Sequence, residues 1–171
     1  MLSIKKAVPQ DAELAAGIFM MLWQGHPFQQ LKEQLLSTVS GKGATVFIAY
    51  SDGAPAGAAQ CSLRYDYVEG TASSPVGYLE GIYILPQFRR TGIASRLVRC
   101  CESWAKAHGC TEFASGCAAD NTFSQQFHEG AGFTEVSRIV CYVKPLESSP
   151  ETDSEEELNF DKEMGTFFGK E

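Results

Sequence analysis

The chain has 171 residues, 44% of them hydrophobic and 20% charged, which is typical of a globular protein with one sizeable core. Its net charge of −7, from 21 acidic and 14 basic residues, argues against nucleic-acid binding and favours cationic ligands. No run approaches the ~20 apolar residues of a membrane span, and the N-terminus lacks the apolar core of a signal peptide. We therefore expect a cytoplasmic protein that does not bind membranes.

The predicted elements of the first half are, in chain order, a strand at 2–8, a helix opening at Pro9–Asp11, a helix at about 28–39, a strand at 45–50, a strand at about 55–65 and a loop at 66–77. The first helix has apolar Leu14, Ile18, Met21 and Leu22 at helical spacing, and Gly25-His26-Pro27 separates it from the second. Ser51-Asp52-Gly53 is typical of a tight turn between antiparallel strands. These signals predict a strand, two helices and a hairpin.

The predicted elements of the second half are a strand at 78–85, a helix that begins after Gly92, a strand at 110–117, a helix capped by Asp120-Asn121 and a last strand at 133–143. Gly109 ends the first of these helices, and Gly130 and Gly132 end the second. The whole order is β-α-α-β-β-β-α-β-α-β.

The composition changes after Pro145. Residues 147–157 are rich in Ser, Glu, Asp and Pro, which is typical of a linker. Apolar residues then return at loose helical spacing, at Leu158, Phe160, Met164, Phe167 and Phe168. We predict a domain at 1–146 and an acidic tail at 147–171, in which the linker precedes a segment that can dock as a helix on the body or on a partner.

The six cysteines predict neither a metal site nor a disulfide framework. No two form a C-x-x-C pair, and no histidine cluster accompanies them. Most lie in apolar runs, where free cysteine behaves as a small buried hydrophobe. We expect reduced thiols and no bound metal.

A basic, glycine-containing turn, Arg89 to Ala94, joins the strand at 78–85 to the next helix. Backbone N–H groups at a helix start are unpaired and attract anions. Arg89 and Arg90 add charge, and Gly92 permits a close approach of the backbone to a ligand. The turn predicts a site for a pyrophosphate-sized anion, with a solvated basic turn as the alternative.

Glu80 stands beside Gly81 in a strand of otherwise apolar residues. A lone carboxylate in such a place is costly unless it has a partner or a function. The residue is therefore either functional or a structural carboxylate that is paired or faces solvent.

These residues carry a resemblance to a known superfamily. Arg89-Arg-Thr-Gly-Ile-Ala94 fits the R/Q-x-x-G-x-G/A loop of the GNAT N-acetyltransferases, and Asn121 precedes a helix that ends in Gly132-Phe133, as in that family. Residues 1 to about 146 further resemble the bacterial aminoglycoside 6'-N-acetyltransferases. That likeness rests on Trp23, His26, Asp66-Tyr-Val68, Ser74-Pro75, Leu79-Glu-Gly-Ile-Tyr83 and Asp120-Asn-Thr122.

The resemblance implies an α/β (α+β) GNAT fold, a mixed twisted sheet flanked by helices. In it, the central parallel strands at 78–85 and 110–117 splay apart around acetyl-CoA. The cofactor residues that it implies are Ile82, Tyr83 and Ile84 for the pantetheine arm, Arg89, Arg90, Thr91, Gly92, Ile93 and Ala94 for the pyrophosphate, and Asn121, which is also an N-cap, for the CoA arm.

The implied reaction is direct attack of an amine on the thioester in a ternary complex. Glu80 meets the substrate amine, as an anchor for its ammonium and as a base acting through water. His128 takes the place of a tyrosine that protonates the thiolate, and histidine can donate that proton near neutral pH; it is otherwise an ordinary helix-surface residue. Trp23, His26 and Tyr67 match the substrate side, with plain core as the alternative for Trp23.

The implied function is resistance to an aminoglycoside antibiotic by a homodimer that acetylates a small cationic amine. Two positions depart from the pattern, because Gly116 and Ser137 stand where the related enzymes have acidic residues. Glu69, Asp120 or Glu135 could supply the missing negative charge. These departures favour, as one alternative, another small amine or polyamine as the substrate.

A second alternative is an acyl-CoA-binding module with little turnover that engages a partner through its tail. Glu80 and His128 argue against it. An acetyl-cysteine route through Cys117 lacks an activating base.

Overall fold

The computed structural model of the protein describes residues 1–146, so the predicted tail at 147–171 lies outside the described residues. The observed elements are β1 (Leu2–Lys6), α1 (Ala12–Phe19), α2 (Phe28–Ser40), β2 (Ala44–Ser51), β3 (Ala54–Arg64), β4 (Val76–Ile84), α3 (Ile93–Ala107), β5 (Phe113–Ser115) and α4 (Thr122–Gly130). Residues 1–138 form one unit, and residues 139–146 contain no helix or strand. Within the described range, no helix is both long and apolar enough to cross a membrane.

The five strands form one mixed sheet in the order β1-β2-β3-β4-β5. The first three pairings are antiparallel and the pairing of β4 with β5 is parallel. The predicted hairpin between β2 and β3 is confirmed. Its turn residues Asp52 and Gly53 both have left-handed backbone, with φ of 49° and 84°.

Helices cover both faces of this sheet. Leu97, Cys101 and Trp104 of α3 pack on one face, where they meet Ala49 of β2. Phe19 of α1 and Leu35 of α2 pack on the other face. Neighbouring residues of β2 alternate between the two clusters, with Val46 and Ile48 in the second. Because both faces are buried, the central strands are apolar almost throughout.

All six cysteines are free thiols in the structure. Cys61, Cys101 and Cys110 are buried in the cluster under α3. Burial raises the pKa of the Cys110 thiol above its ordinary value. These three residues therefore act as core side chains, as the sequence predicts.

Two predicted elements are shorter than expected. α1 ends at Phe19, so Met21 and Leu22 follow the helix and are 52% and 37% exposed. The strand predicted at 110–117 is reduced to β5, because only its residues 113–115 pair with β4. A strand persists only where a neighbour satisfies its backbone groups.

The last predicted strand, at 133–143, is wrong. The structure assigns no helix or strand to residues 133–146. The alternating apolar residues of this segment fit a strand, but β5 is an edge strand with no partner on its outer side among residues 1–146. Without pairing, Val136 is 65% exposed. Alternation of apolar and polar residues does not by itself form a strand, because the backbone must also pair with a neighbouring strand.

Candidate active site

β4 and β5 pair over only part of their length, and we refer to the gap beyond their last pair as the cleft. Their parallel pairing has three rungs, and the last joins Leu79 to Ser115. β4 continues to Ile84, so its edge from Glu80 onward has no β5 partner. Ile82, Tyr83 and Ile84 all lie on this unpaired stretch. Unpaired strand backbone can bind an extended ligand as an additional strand.

A β-bulge lies at the start of the unpaired stretch. In the β3–β4 ladder Gln60 pairs with Gly81 and Cys61 pairs with Leu79, so Glu80 is the additional residue. A bulge bends its strand and redirects the side chains next to it. It therefore explains why the Glu80 side chain lies over β3 at the mouth of the cleft.

The predicted anion loop follows β4 directly. Gly92 is the residue before α3 and has left-handed backbone, with φ of 81° and no side-chain hydrogen bond to cap the helix. A Cβ at Gly92 would have no protein atom within 4 Å. The first N–H groups of α3 have no hydrogen-bond partner among the described residues, so they are available to an anion.

Arg89 is held in place beside this loop. Its Nε donates to the carbonyl of Ile84 at 3.1 Å, and its guanidinium lies 5.4 Å from the Tyr83 ring centroid and 6.0 Å from that of Phe123. The Thr91 hydroxyl donates to the carbonyl of Phe88 at 2.6 Å. The loop is therefore preorganised by the protein's own contacts, and both arginine side chains remain exposed.

Glu80 has two partners that the sequence analysis missed. Arg64 Nη2 lies 2.8 Å from Glu80 Oε2 and Arg64 Nε lies 3.2 Å from Oε1, a two-point ion pair. The Ser62 hydroxyl donates to Oε1 as well. The side chains of Arg64 and Glu80 are 42% and 25% exposed, so the pair is partly open to solvent. An incoming ammonium would compete with Arg64 for this carboxylate.

Gly116 belongs to the same cluster. The guanidinium of Arg64 lies 3.4 Å from the Tyr78 ring centroid, as in a cation–π contact. A Cβ at Gly116 would lie 3.0 Å from the hydroxyl of Tyr78. One of the two positions that lack an expected carboxylate is therefore within reach of the network around Glu80.

Trp23 and His26 line one cavity of about 290 Å³, together with Gln60 and residues of α2. Trp23 stacks on Phe19 with ring centroids 4.8 Å apart. A Cβ at Gly81 would lie 2.7 Å from Trp23, so the glycine beside Glu80 permits the indole to approach β4. Both the pocket and the core interpretations of Trp23 therefore describe part of its surroundings.

Tyr67 lies apart from this cavity. It is 80% exposed, and its hydroxyl donates to Glu69 at 2.7 Å. Its loop is anchored at the far end by Glu112, whose Oε2 accepts from the N–H groups of Ala72 and Ser73 at 2.9 and 2.7 Å and from the Ser73 hydroxyl. The structure thus places Tyr67 on a tethered surface loop.

Acidification should release that tether. The Ser73 hydroxyl and then the N–H of Ala72 hold the pKa of Glu112 below its ordinary value. A lowered pKa means that the anchor is complete above the unfolded-state value, near 4.5, and is lost as pH falls through the folded value. In Glu112→Ala at neutral pH, we expect the amides of Ala72 and Ser73 to exchange hydrogen several-fold faster, measured by exchange mass spectrometry. Unchanged exchange would contradict the anchor.

Asn121 caps α4, as predicted. Its Oδ1 accepts from the Ser124 N–H at 3.0 Å, which satisfies one of the unpaired groups at the helix start. This bond uses the carbonyl end of the amide, while the residue itself is exposed. The NH₂ end can therefore still donate to a ligand.

His128 belongs to α4, and its side chain contacts the end of β5. Its Nδ1 lies 2.6 Å from the carbonyl oxygen of Ser124 and its Nε2 lies 2.9 Å from the hydroxyl of Ser115. Phe127 and Phe133 meet the ring at centroid distances of 5.2 and 5.3 Å. The half-buried imidazole is thus fixed at the closed end of the cleft.

The chain is similar to known acetyltransferases. The chain matches the family model "Acetyltransferase (GNAT) family" over residues 12–133. The aminoglycoside N(6')-acetyltransferase type 1 of Acinetobacter genomosp. 13 is 44% identical over 131 residues, which is 76% of this chain and 89% of that protein.

Two solved structures are similar over 85% of this chain. One is AAC(6')-Iy in complex with CoA, with 36% identity, a TM-score of 0.82 and 96% of that chain covered. The other is AAC(6')-Iy in complex with the bisubstrate analog CoA-S-monomethyl-acetylneamine, with 37% identity, a TM-score of 0.79 and 99% covered. The family match, the sequence relative and the fold agree, and this chain belongs to the GNAT family of acetyltransferases.

Proposed function

We propose that this protein transfers the acetyl group of acetyl-CoA to a primary amine, the 6'-amine of an aminoglycoside antibiotic, by direct attack in a ternary complex. The observation that carries the proposal is the unpaired edge of β4. The edge has a carboxylate, Glu80, at one end and the anion loop at Gly92 at the other. The relative named for aminoglycoside acetylation and the neighbour bound to a CoA–aminoglycoside analog support this substrate.

On the cofactor side, the pantetheine arm pairs with the backbone of Ile82, Tyr83 and Ile84, and the pyrophosphate lies on the N–H groups from Arg89 to Ala94. Asn121 donates its free amide hydrogens to the arm. The long axis of acetyl-CoA then runs along the cleft, and its thioester lies toward the rung between Leu79 and Ser115.

On the substrate side, Glu80 takes the ammonium group and Trp23 with His26 forms one wall. Tyr67 contributes from its surface loop. The Glu80 carboxylate stabilises the bound ammonium. The amine nitrogen must then lose a proton before it can attack the thioester. His128 supplies the proton that the leaving thiolate takes.

A second candidate substrate is another small amine or polyamine, and the electrostatics of the site favour it. Arg64 neutralises Glu80 in the structure, and positions 116 and 137 carry no charge. A polycationic antibiotic therefore meets fewer anions here than the resemblance implies.

A panel assay separates these candidates. Purified full-length protein is given acetyl-CoA with kanamycin- or tobramycin-like compounds, with polyamines, and with simple primary amines, and CoA release is measured. We expect turnover of the aminoglycosides. Turnover of other amines alone would support the second candidate substrate. CoA binding without turnover of any amine would contradict the proposal that the protein is an enzyme.

Gly116→Asp tests the substrate electrostatics directly. A carboxylate at 116 would lie near the Tyr78 hydroxyl and add an anion to the Glu80 cluster. A charge-assisted hydrogen bond contributes ~1.5–3 kcal/mol, so KM for an aminoglycoside should fall by about tenfold. Gly116→Asn is the matched neutral control and should leave KM within about twofold. Equal effects of the two variants would contradict a role for charge.

We further propose a cytoplasmic homodimer that binds neither nucleic acid nor membrane. The free thiols support the cytoplasmic location, and the net charge of −7 argues against nucleic-acid binding. The open outer edge of β5 and the exposed Val136 are features that a second copy of the chain could cover. Light scattering coupled to size exclusion should give twice the chain mass of 18.6 kDa.

A further inference from the structure

The two ring nitrogens of His128 face different partners. Nδ1 lies 2.6 Å from the Ser124 carbonyl oxygen, which can only accept, so Nδ1 carries a hydrogen. The nitrogen that gains and loses a proton is therefore Nε2. The hydrogen-bond partner of Nε2 is the Ser115 hydroxyl, whose oxygen lies 2.9 Å away.

Ser115 lies where β4 and β5 separate. It forms the last rung of their ladder, and its hydroxyl also lies 3.1 Å from the carbonyl oxygen of Leu79. One hydroxyl hydrogen cannot serve Leu79 and His128 at once. When Nε2 is unprotonated it accepts from Ser115, and when Nε2 is protonated it donates to the Ser115 oxygen, which leaves the hydroxyl hydrogen for a second acceptor.

The cleft geometry identifies that second acceptor. The pyrophosphate end of acetyl-CoA belongs at Gly92, at the far end of the unpaired edge, so the thioester end points toward Leu79 and Ser115. A thiolate released there would meet the Ser115 hydroxyl before the His128 ring. While Nε2 is protonated and no thiolate is present, the hydroxyl can donate to the Leu79 carbonyl, 3.1 Å away.

We propose that Ser115 is a further catalytic residue, a relay that passes the proton of His128 to the leaving thiolate. This inference rests on the proposed function. As the amine nitrogen forms its bond to the acetyl carbon, the carbon–sulfur bond breaks and its electron pair stays on sulfur. The Ser115 hydroxyl gives its hydrogen to that sulfur and receives the Nε2 hydrogen of His128. Ser115 ends unchanged, His128 ends neutral, and the proton lost by the amine restores the imidazolium through solvent.

A double-mutant cycle tests the relay. The variants are Ser115→Ala, His128→Gln and the double variant, each assayed for kcat with both substrates saturating. General acid catalysis contributes ~10²–10⁴-fold, so we expect each single variant to lose roughly 10- to 100-fold in kcat. Because the two groups act in series, the double variant should lose no more than the worse single variant. Losses that multiply, or a wild-type rate for Ser115→Ala, would overturn the relay.

Two further variants separate the relay from simple packing. Ser115→Thr keeps a hydroxyl and should retain kcat within about fivefold of wild type. Ser124→Ala removes a hydroxyl 3.4 Å from the opposite nitrogen of the same ring and should cost at least about tenfold less than Ser115→Ala. The Kd for CoA, measured by calorimetry, should change by less than about twofold in Ser115→Ala. A Ser115→Thr rate as low as that of Ser115→Ala would overturn the relay.

Failure of the proposed function is distinguishable from failure of the relay. If wild-type protein acetylates no amine of the panel, the proposed function is wrong. The ¹⁵N chemical shift of His128 Nε2 reports the contact without turnover, and we expect it to differ between wild type and Ser115→Ala at one fixed pH. An unchanged shift would overturn the relay whatever the assay gives.

Discussion

Gly92→Ala should weaken CoA binding by roughly 10- to 100-fold, while kcat at saturating acetyl-CoA changes little. Left-handed backbone costs a residue with a Cβ ~1–2 kcal/mol, and Gly92 has a φ of 81°. The added methyl group would meet no protein atom within 4 Å, so the loss cannot come from a clash inside the protein. It must come from the loop backbone or from the ligand itself. Calorimetric titration of CoA measures the effect.

Gly109→Ala is the matched control for this prediction. Gly109 ends the same helix, has a φ of 86°, and likewise has no atom within 4 Å of an added Cβ. Both variants should therefore lose a similar amount of stability in thermal unfolding. Only Gly92→Ala should lose CoA affinity, because only its end of α3 carries unpaired N–H groups. Equal losses of affinity would show that general strain, and not an anion site, explains the result.

Local signals in the sequence predicted the backbone conformations around the proposed cofactor site. The Asp52-Gly53 turn, the glycine before α3 and the Asn121 cap are each determined by a few consecutive residues. Their conformations need no knowledge of distant contacts. For this reason the β2–β3 turn, the glycine turn before α3 and the cap of α4 agree with the expectation.

The substrate half depends on contacts between strands, which the sequence does not reveal. Arg64 and Glu80 are 16 residues apart, and they meet only because a bulge shifts the register of β3 against β4. A shift of one residue moves every side chain to the opposite face. The sequence therefore left open whether Glu80 is paired, and it gave no reason to choose Arg64.

The contact between His128 and Ser115 has the same origin. Ser115 and His128 are 13 residues apart in the chain, and they meet because α4 places His128 beside the end of β5. The length of β5 in turn depends on how far β4 diverges from it. The same dependence made the strand at 133–143 wrong, since its alternation was visible and its lack of a partner was not.

Glu80→Gln should lower kcat/KM for the amine by about 100-fold and leave CoA affinity within about twofold. Loss of the charge removes the anchor for the ammonium, and a charged hydrogen-bond partner contributes ~1.5–3 kcal/mol to such contacts. The fold should survive, because the ion pair with Arg64 is partly exposed and such pairs contribute ~1 kcal/mol or less. Steady-state kinetics and thermal unfolding measured on the same preparation separate the two effects.

Arg64→Gln should change the affinity for the amine in the direction opposite to Glu80→Gln. If the substrate ammonium replaces Arg64 at Glu80, removal of the guanidinium removes a competing cation, and the amine should bind several-fold more tightly to the CoA-loaded protein. Glu80→Gln should weaken the same binding, so the two variants move amine affinity in opposite directions. If both variants weakened it equally, the pair would be a structural unit that orients Tyr78 and β3. The ammonium would then bind elsewhere in the cleft, and the acidic residues of the Tyr67 loop would be the next to test.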